Sequence, residues 1–311
     1  MASTYSFKMG VFLNESGLPL DQAAPFAQEL GAGYAEFFVP ADELNESYAV
    51  YCRRLLDDAG LQAHAVGGSP NPLKLIHIDE IALADLPSHP EFVHDMELIR
   101  RSIPFAKAVG SPNVLVQGFA WPGEYQNGAR VSPTWPERYA AGGGEIPEAE
   151  LDKLAKAFGI VADLAEREDI NIAIGMMPWN YTNTSRNFRR IMERVGSPRL
   201  KCKWGPADNY NAGEHDTVTT GYQNLKPYLT SLHLKDVHVV DGPGLEFEYR
   251  PIGTGDPDYA ALFRTFAQDH TDIVIAVATH FRLPGDTGPK TLRLNYANTL
   301  ELAQQAQATP V

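Results

Sequence analysis

The sequence predicts a closed (β/α)8 barrel built as one domain over residues 1–311. Three observations carry this: eight short β-branched or apolar runs, helix-period segments ending at glycine between them, and no Gly-x-Gly-x-x-Gly turn after the first run. A chain of 311 residues is also long enough for two average domains, so the alternating order decides, not the length.

The apolar runs lie at 7–13, 34–39, 61–66, 114–119, 170–176, 200–204, 231–236 and 273–279. Helical patterns at 21–30, 48–59, 97–109 and 188–195 stop before Gly31, Gly60, Gly110 and Gly196, because glycine takes the left-handed position after a helix without a Cβ clash. A further helix follows Pro147 and places Leu151, Leu154, Phe158, Val161 and Leu164 on one stripe. Asp256-Pro257 reads as a capping carboxylate followed by proline at the first helical position. After the fourth run comes a long segment, 120–146, rich in Gly, Pro and aromatics. On a barrel it is a βα loop at the C-terminal face, where active sites form, so it is expected to act as a lid with Trp121 or Trp135 toward the cavity.

Hydrophobic residues make up 44% and charged residues 21%, enough to build a large core. Lys and Arg number 26 against 39 Asp and Glu, and the resulting −13 repels phosphate backbones and anionic lipid. Nucleic acid and membrane are therefore not expected partners, and a small-molecule substrate is; assembly into a homo-oligomer is compatible with the sequence. No stretch approaches the length of a bilayer span and no apolar leader precedes the first run, so a cytoplasmic location is expected. Cys52 and Cys202 have no Cys or His at metal-finger spacing and read as reduced core thiols.

Polar residues gather at three strand exits: Ser231-Leu-His-Leu-Lys-Asp-Val237, Ala278-Thr-His-Phe-Arg282 and Lys203-Trp-Gly-Pro-Ala-Asp-Asn209. Alternation puts His233 and Lys235 on one strand face. This is the distribution of an active site on such a barrel. Gly253-Thr-Gly-Asp-Pro257 resembles a phosphate cradle, but Asp256 repels phosphate and a structural turn is favoured.

Leu232-His-Leu-Lys-Asp236, Pro251-Ile-Gly-Thr-Gly-Asp-Pro-Asp-Tyr259 and Lys8-Met-Gly-Val11 resemble the xylose-isomerase-like sugar phosphate isomerase and epimerase family, from about Phe7 to Ala303. The resemblance implies a divalent metal held by Glu, Asp, His and Glu at the exits of strands five to eight, with the two Glu moving the substrate proton. This chain departs from that pattern. The first Glu falls on Gly175 in Ile174-Gly-Met-Met-Pro-Trp179, the Asp on Gly205, and the last Glu on Ala278 in Val277-Ala-Thr-His280, so only His233 survives. One imidazole does not retain a hard, oxygen-preferring cation, so neither metal nor other cofactor is expected. Gly, Gly and Ala also remove volume, which with Met176 predicts a wider and drier pocket floor.

The expected catalytic residues are His233, Lys235, Asp208 as a relocated carboxylate, and His280. The expected substrate contacts are Glu36 in Ala35-Glu-Phe-Phe38, His64, Gln117, Trp121, Met176, Trp179, Lys203 and Arg282, while Asp236 orients its loop. Three readings follow. The first is a metal-independent isomerase, epimerase or lyase acting on a sugar, cyclitol, glycoside or bulky aromatic natural product; the second is a non-catalytic binding or partner subunit. The third is a conventional isomerase whose metal is held by relocated ligands.

Overall fold

The structure, a computed structural model, describes residues 5–123, 144–241 and 246–308. Eight parallel strands close into a barrel: β1 (Lys8–Phe12), β2 (Tyr34–Pro40), β3 (Gln62–Ser69), β4 (Asn113–Gln117), β5 (Asn171–Gly175), β6 (Leu200–Trp204), β7 (Leu229–Leu234) and β10 (Val274–Val277). Closure comes from β10, which pairs with β1 through Met9 opposite Ile275 and with β7 through Ala276 opposite His233. No barrel edge is left to pair with another chain.

Helices α1 (Leu20–Leu30), α2 (Glu46–Asp58), α3 (Pro90–Val109), α4 (Glu148–Arg167) and α5 (Ser185–Val195) pack outside the strands, followed by the short α6 (Pro206–Asn211) and α7 (Tyr222–Leu225), then α8 (Tyr259–Asp269) and α9 (Pro289–Ala308). Gly31 and Gly110 end α1 and α3 at φ of 90° and 79°, a conformation that costs an L side chain roughly 1–2 kcal/mol. Asn45 and Thr184 cap α2 and α5 by accepting the amides of Tyr48 and Asn187. The α4 stripe buries Leu151, Leu154, Phe158, Val161 and Leu164 as expected, each contributing roughly 1.5–3 kcal/mol on leaving water. Cys52 and Cys202 are buried free thiols.

Two local expectations are corrected. Asp258, not Asp256, caps α8, accepting the Ala261 amide at 2.8 Å. Asp256 instead reaches back to an antiparallel hairpin that alternation alone did not reveal, formed by β8 (Asp236–Asp241) and β9 (Glu246–Arg250). There it accepts the Val239 amide and pairs with His238, both at 2.8 Å. Asp236 pins the Gly253–Gly255 turn by accepting both glycine amides, at 2.8 and 3.0 Å, so that turn is structural. Burial raises the Asp236 carboxyl to about 6 against those amides.

Residues 120–123 and 144–146 of the expected lid are described; Trp135 and Tyr139 lie outside the described residues. No helix among the described residues is long and apolar enough to cross a membrane.

Candidate active site

The barrel lumen is plugged by Phe12, Ala65, Leu115, Ala173 and Ala278, with Phe38 against them. Above this plug, at the C-terminal ends of the strands, lies a cavity of about 240 Å³. Of the expected site residues, it brings together His233, Lys235, Asp208, His280, Gln117, Met176 and Lys203.

Two buried ion pairs present their lysines to it. Lys203, at the end of β6, donates to Glu36 Oε2 at 2.5 Å and sits 4.0 Å above the Phe12 ring. Lys235, just past β7, donates to Asp208 Oδ1 at 2.9 Å, and both side chains are almost wholly enclosed. Burial pulls the Lys203 ammonium below the ordinary lysine range, with Lys235 adding to the effect against Glu36. Burial opposes the Lys235 charge as well, yet Asp208, Tyr249 and Glu15 outweigh it and hold its pKa up.

His233 meets the edge of Phe12 at 5.0 Å between ring centroids, and its Nδ1 is buried without a hydrogen-bond partner. Burial, then Lys203 and Lys235, drive its pKa far below the ordinary imidazole value, so the ring is neutral. His280 stacks on Tyr249 of the hairpin at 4.8 Å and is lowered to about 3 by burial, Lys235, Arg282 and Lys74.

The structure adds Glu15, Lys74, Asn71 and Phe38 to the cavity wall. Glu15 leaves β1 in a short 3-10 turn, with Oε1 3.7 Å from His280 Nε2 and Oε2 3.3 Å from Arg282. Its position at a strand exit, in Leu13-Asn-Glu-Ser16, is the signal that would have found it.

Five expected contacts stand elsewhere. Glu36 is fully enclosed behind Lys203. His64 lies low on β3, its Nε2 3.1 Å from the Thr230 carbonyl at the start of β7. Arg282 braces Glu15 and the Thr279 carbonyl. Trp121 packs on Tyr181 at 5.1 Å, and Trp179 is buried with Ala120, Met177 and Phe247, so neither is on the wall.

The wider floor expected from Gly175 and Gly205 is also corrected. A Cβ at Gly175 would lie 2.7 Å from Gln117 Oε1 and 2.8 Å from its Nε2, and one at Gly205 would strike the Asp208 carboxylate. The Gln117 and Asp208 side chains occupy the space beside the two glycines.

A closed parallel barrel with a cavity at the strand C-termini defines a protein of the (β/α)8 class with its site in the usual place. The chain belongs to the xylose isomerase-like TIM barrel family, whose sequence model matches residues 24–292. No curated protein matches the chain in sequence. Among solved structures, an L-ribulose 3-epimerase is similar with TM-score 0.69 at 14% identity, covering 97% of this chain and 96% of that one. The 3-keto-D-glucoside 4-epimerase of E. coli gives 0.65 at 14% over 92% and 98%. A probable 3-DHS dehydratase from Bacillus anthracis gives 0.63 at 12% over 94% and 99%. At these identities the likeness establishes the fold.

The metal that such a family implies does not suit the corresponding residues here. Ala278 is packed in the apolar plug, Gln117 and Asp208 occupy the places beside Gly175 and Gly205, and three lysines, Lys74, Lys203 and Lys235, line the cavity. Among the described residues, Glu15, His233 and His280 do bring one donor atom each within 4.8 Å of one another. The expectation of His233 as a lone donor is corrected to that extent.

Proposed function

We propose that this chain is an isomerase, epimerase or lyase that moves a proton at a carbon beside a carbonyl, on a sugar, cyclitol or glycoside, without the family's divalent cation. The observation that carries the reading is the pair of enclosed lysines on one cavity wall, Lys203 backed by Glu36 and Lys235 paired with Asp208, beside a neutral His233. Neutral imidazole can take a proton from carbon and return it. The Lys235 ammonium, held charged by Asp208, offers a fixed donor to the oxygen on which negative charge develops. A cavity of about 240 Å³ favours a sugar or cyclitol over the bulkier aromatic substrates.

The test is hydrogen exchange from D2O into ketoses, inososes and 3-keto-glucosides, followed by NMR in excess EDTA. Exchange should persist with chelator and fall about 10²-fold or more in His233→Ala. Loss of exchange in EDTA with recovery on Mn²⁺ would overturn the reading, and binding without exchange would leave a non-catalytic receptor.

A second reading, a cation on relocated ligands, is favoured by the convergence of Glu15, His233 and His280. Against it stand Lys235 and Arg282, whose charges already act on Glu15.

A further inference from the structure

We infer that Lys203 is a covalent catalyst: its amine condenses with the carbonyl carbon of the substrate to form an imine, supplying the activation that a metal supplies elsewhere in the family. The inference rests on the proposed carbonyl substrate.

Three lysines face the cavity, and of these Lys74 is only half-buried while Lys203 and Lys235 are enclosed. Lys203 lies on the cavity wall, its side chain is 7% exposed, and its ammonium touches one carboxylate oxygen and one aromatic face. Lysine becomes a nucleophile when it is desolvated or placed near a second cation, and both conditions hold here. Lys235 faces the same cavity but is locked to Asp208 and kept charged. Glu36 gives Lys203 a partner for its proton, because Glu36 Oε1 is enclosed and accepts no hydrogen bond.

The steps balance without an oxidant or reductant. Lys203 passes a proton to Glu36, and its lone pair attacks the carbonyl carbon of the open-chain ketone to give a carbinolamine. Glu36 returns the proton, the hydroxyl departs as water, and a C=N⁺ bond remains. His233 removes the proton on the adjacent carbon, and the electron pair moves into the C–N unit as an enamine. Reprotonation on either face gives an epimer or isomer, while departure of a β-hydroxide gives elimination. Water then adds to the iminium, and Lys203 leaves with the proton restored.

The experiment incubates the full chain with D-erythrulose or dihydroxyacetone and sodium cyanoborohydride, then maps modified lysines by peptide mass spectrometry. Neither ketose can close to a stable ring, so each presents a free carbonyl. The expected result is a reduced adduct on Lys203 while the exposed Lys290 stays unlabelled. Lys203→Arg keeps a cation beside Glu36 and should remove that adduct without changing near-UV circular dichroism. Labelling confined to exposed lysines, or equal at Lys203 and Lys290, overturns the inference. If exchange into the same ketose proceeds with no Lys203 adduct, the imine is wrong and the proton-transfer reading stands. An adduct without exchange supports the imine and overturns the proton-transfer reading.

Discussion

The Asp208 carboxylate fills the space into which a side chain at Gly205 would have to grow. That carboxylate cannot simply swing away, because it holds the Lys235 ammonium at 2.9 Å in a setting nearly closed to water. Gly205→Asp should therefore lower the melting temperature, since overpacking a filled site costs roughly 1–3 kcal/mol. Adding Asp208→Ala should recover part of that loss. Thermal denaturation of the two single variants and the double variant measures this as a coupling of about 0.5–3 kcal/mol, and additive effects would refute the contact.

Lys203 and Glu36 make a second prediction. Glu36→Ala leaves an ammonium enclosed with no carboxylate, a change that costs about 3–5 kcal/mol for a buried pair. The double variant Glu36→Leu with Lys203→Met should be markedly less destabilised in urea titration, because no charge remains to be solvated. Equal loss in both proteins would mean that shape, and not charge, dominates there.

The pH dependence of stability has a definite sign. His280 is held at about 3 in the fold against 6.5 for a free imidazole, so the unfolded chain binds its proton first as pH falls. The stability it contributes is complete above about 6.5 and drains away as pH drops toward 3. Urea midpoints from pH 8 to pH 4 should fall more gently in His280→Gln than in the parent. A parallel decline would show that His280 titrates normally.

Metal content gives the fourth prediction. Purified protein should carry no stoichiometric Mn, Mg, Zn or Co, and millimolar Mn²⁺ should leave the melting temperature unmoved. A ligand at 100 times its dissociation constant would add about 2.7 kcal/mol, which is easily seen. An upward shift that disappears in Glu15→Gln would instead assign a cation to Glu15, His233 and His280.

The barrel was readable because strand runs and helix stops repeat locally, and each stop has a steric cause, as at Gly31 and Gly110. The same punctuation marks the strand exits, so the placement of His233, Lys235, Asp208 and Lys203 around one cavity is legible in the sequence. Alternation tells which way the His64 side chain faces and not how high on the strand it sits; its Nε2 reaches Thr230 near the barrel floor. Glu36 is held behind the cavity by a partner 167 residues away, across the lumen, and no local pattern encodes that contact. Glu15 sits in a single turn with no periodicity, and the hairpin strand from Asp236 follows β7 with only Lys235 between them, so the two read as one run.

Gln117 sets a condition on any side chain placed at position 175. Its amide stands 2.7 Å from where a Cβ at Gly175 would sit, and its Oε1 is enclosed without a partner. A side chain at position 175 therefore meets the end of Gln117 before it meets the cavity, and it fits only if that amide turns aside. The glycine thus leaves the orientation of Gln117, and through it one wall of the cavity, free to be set by what the cavity holds.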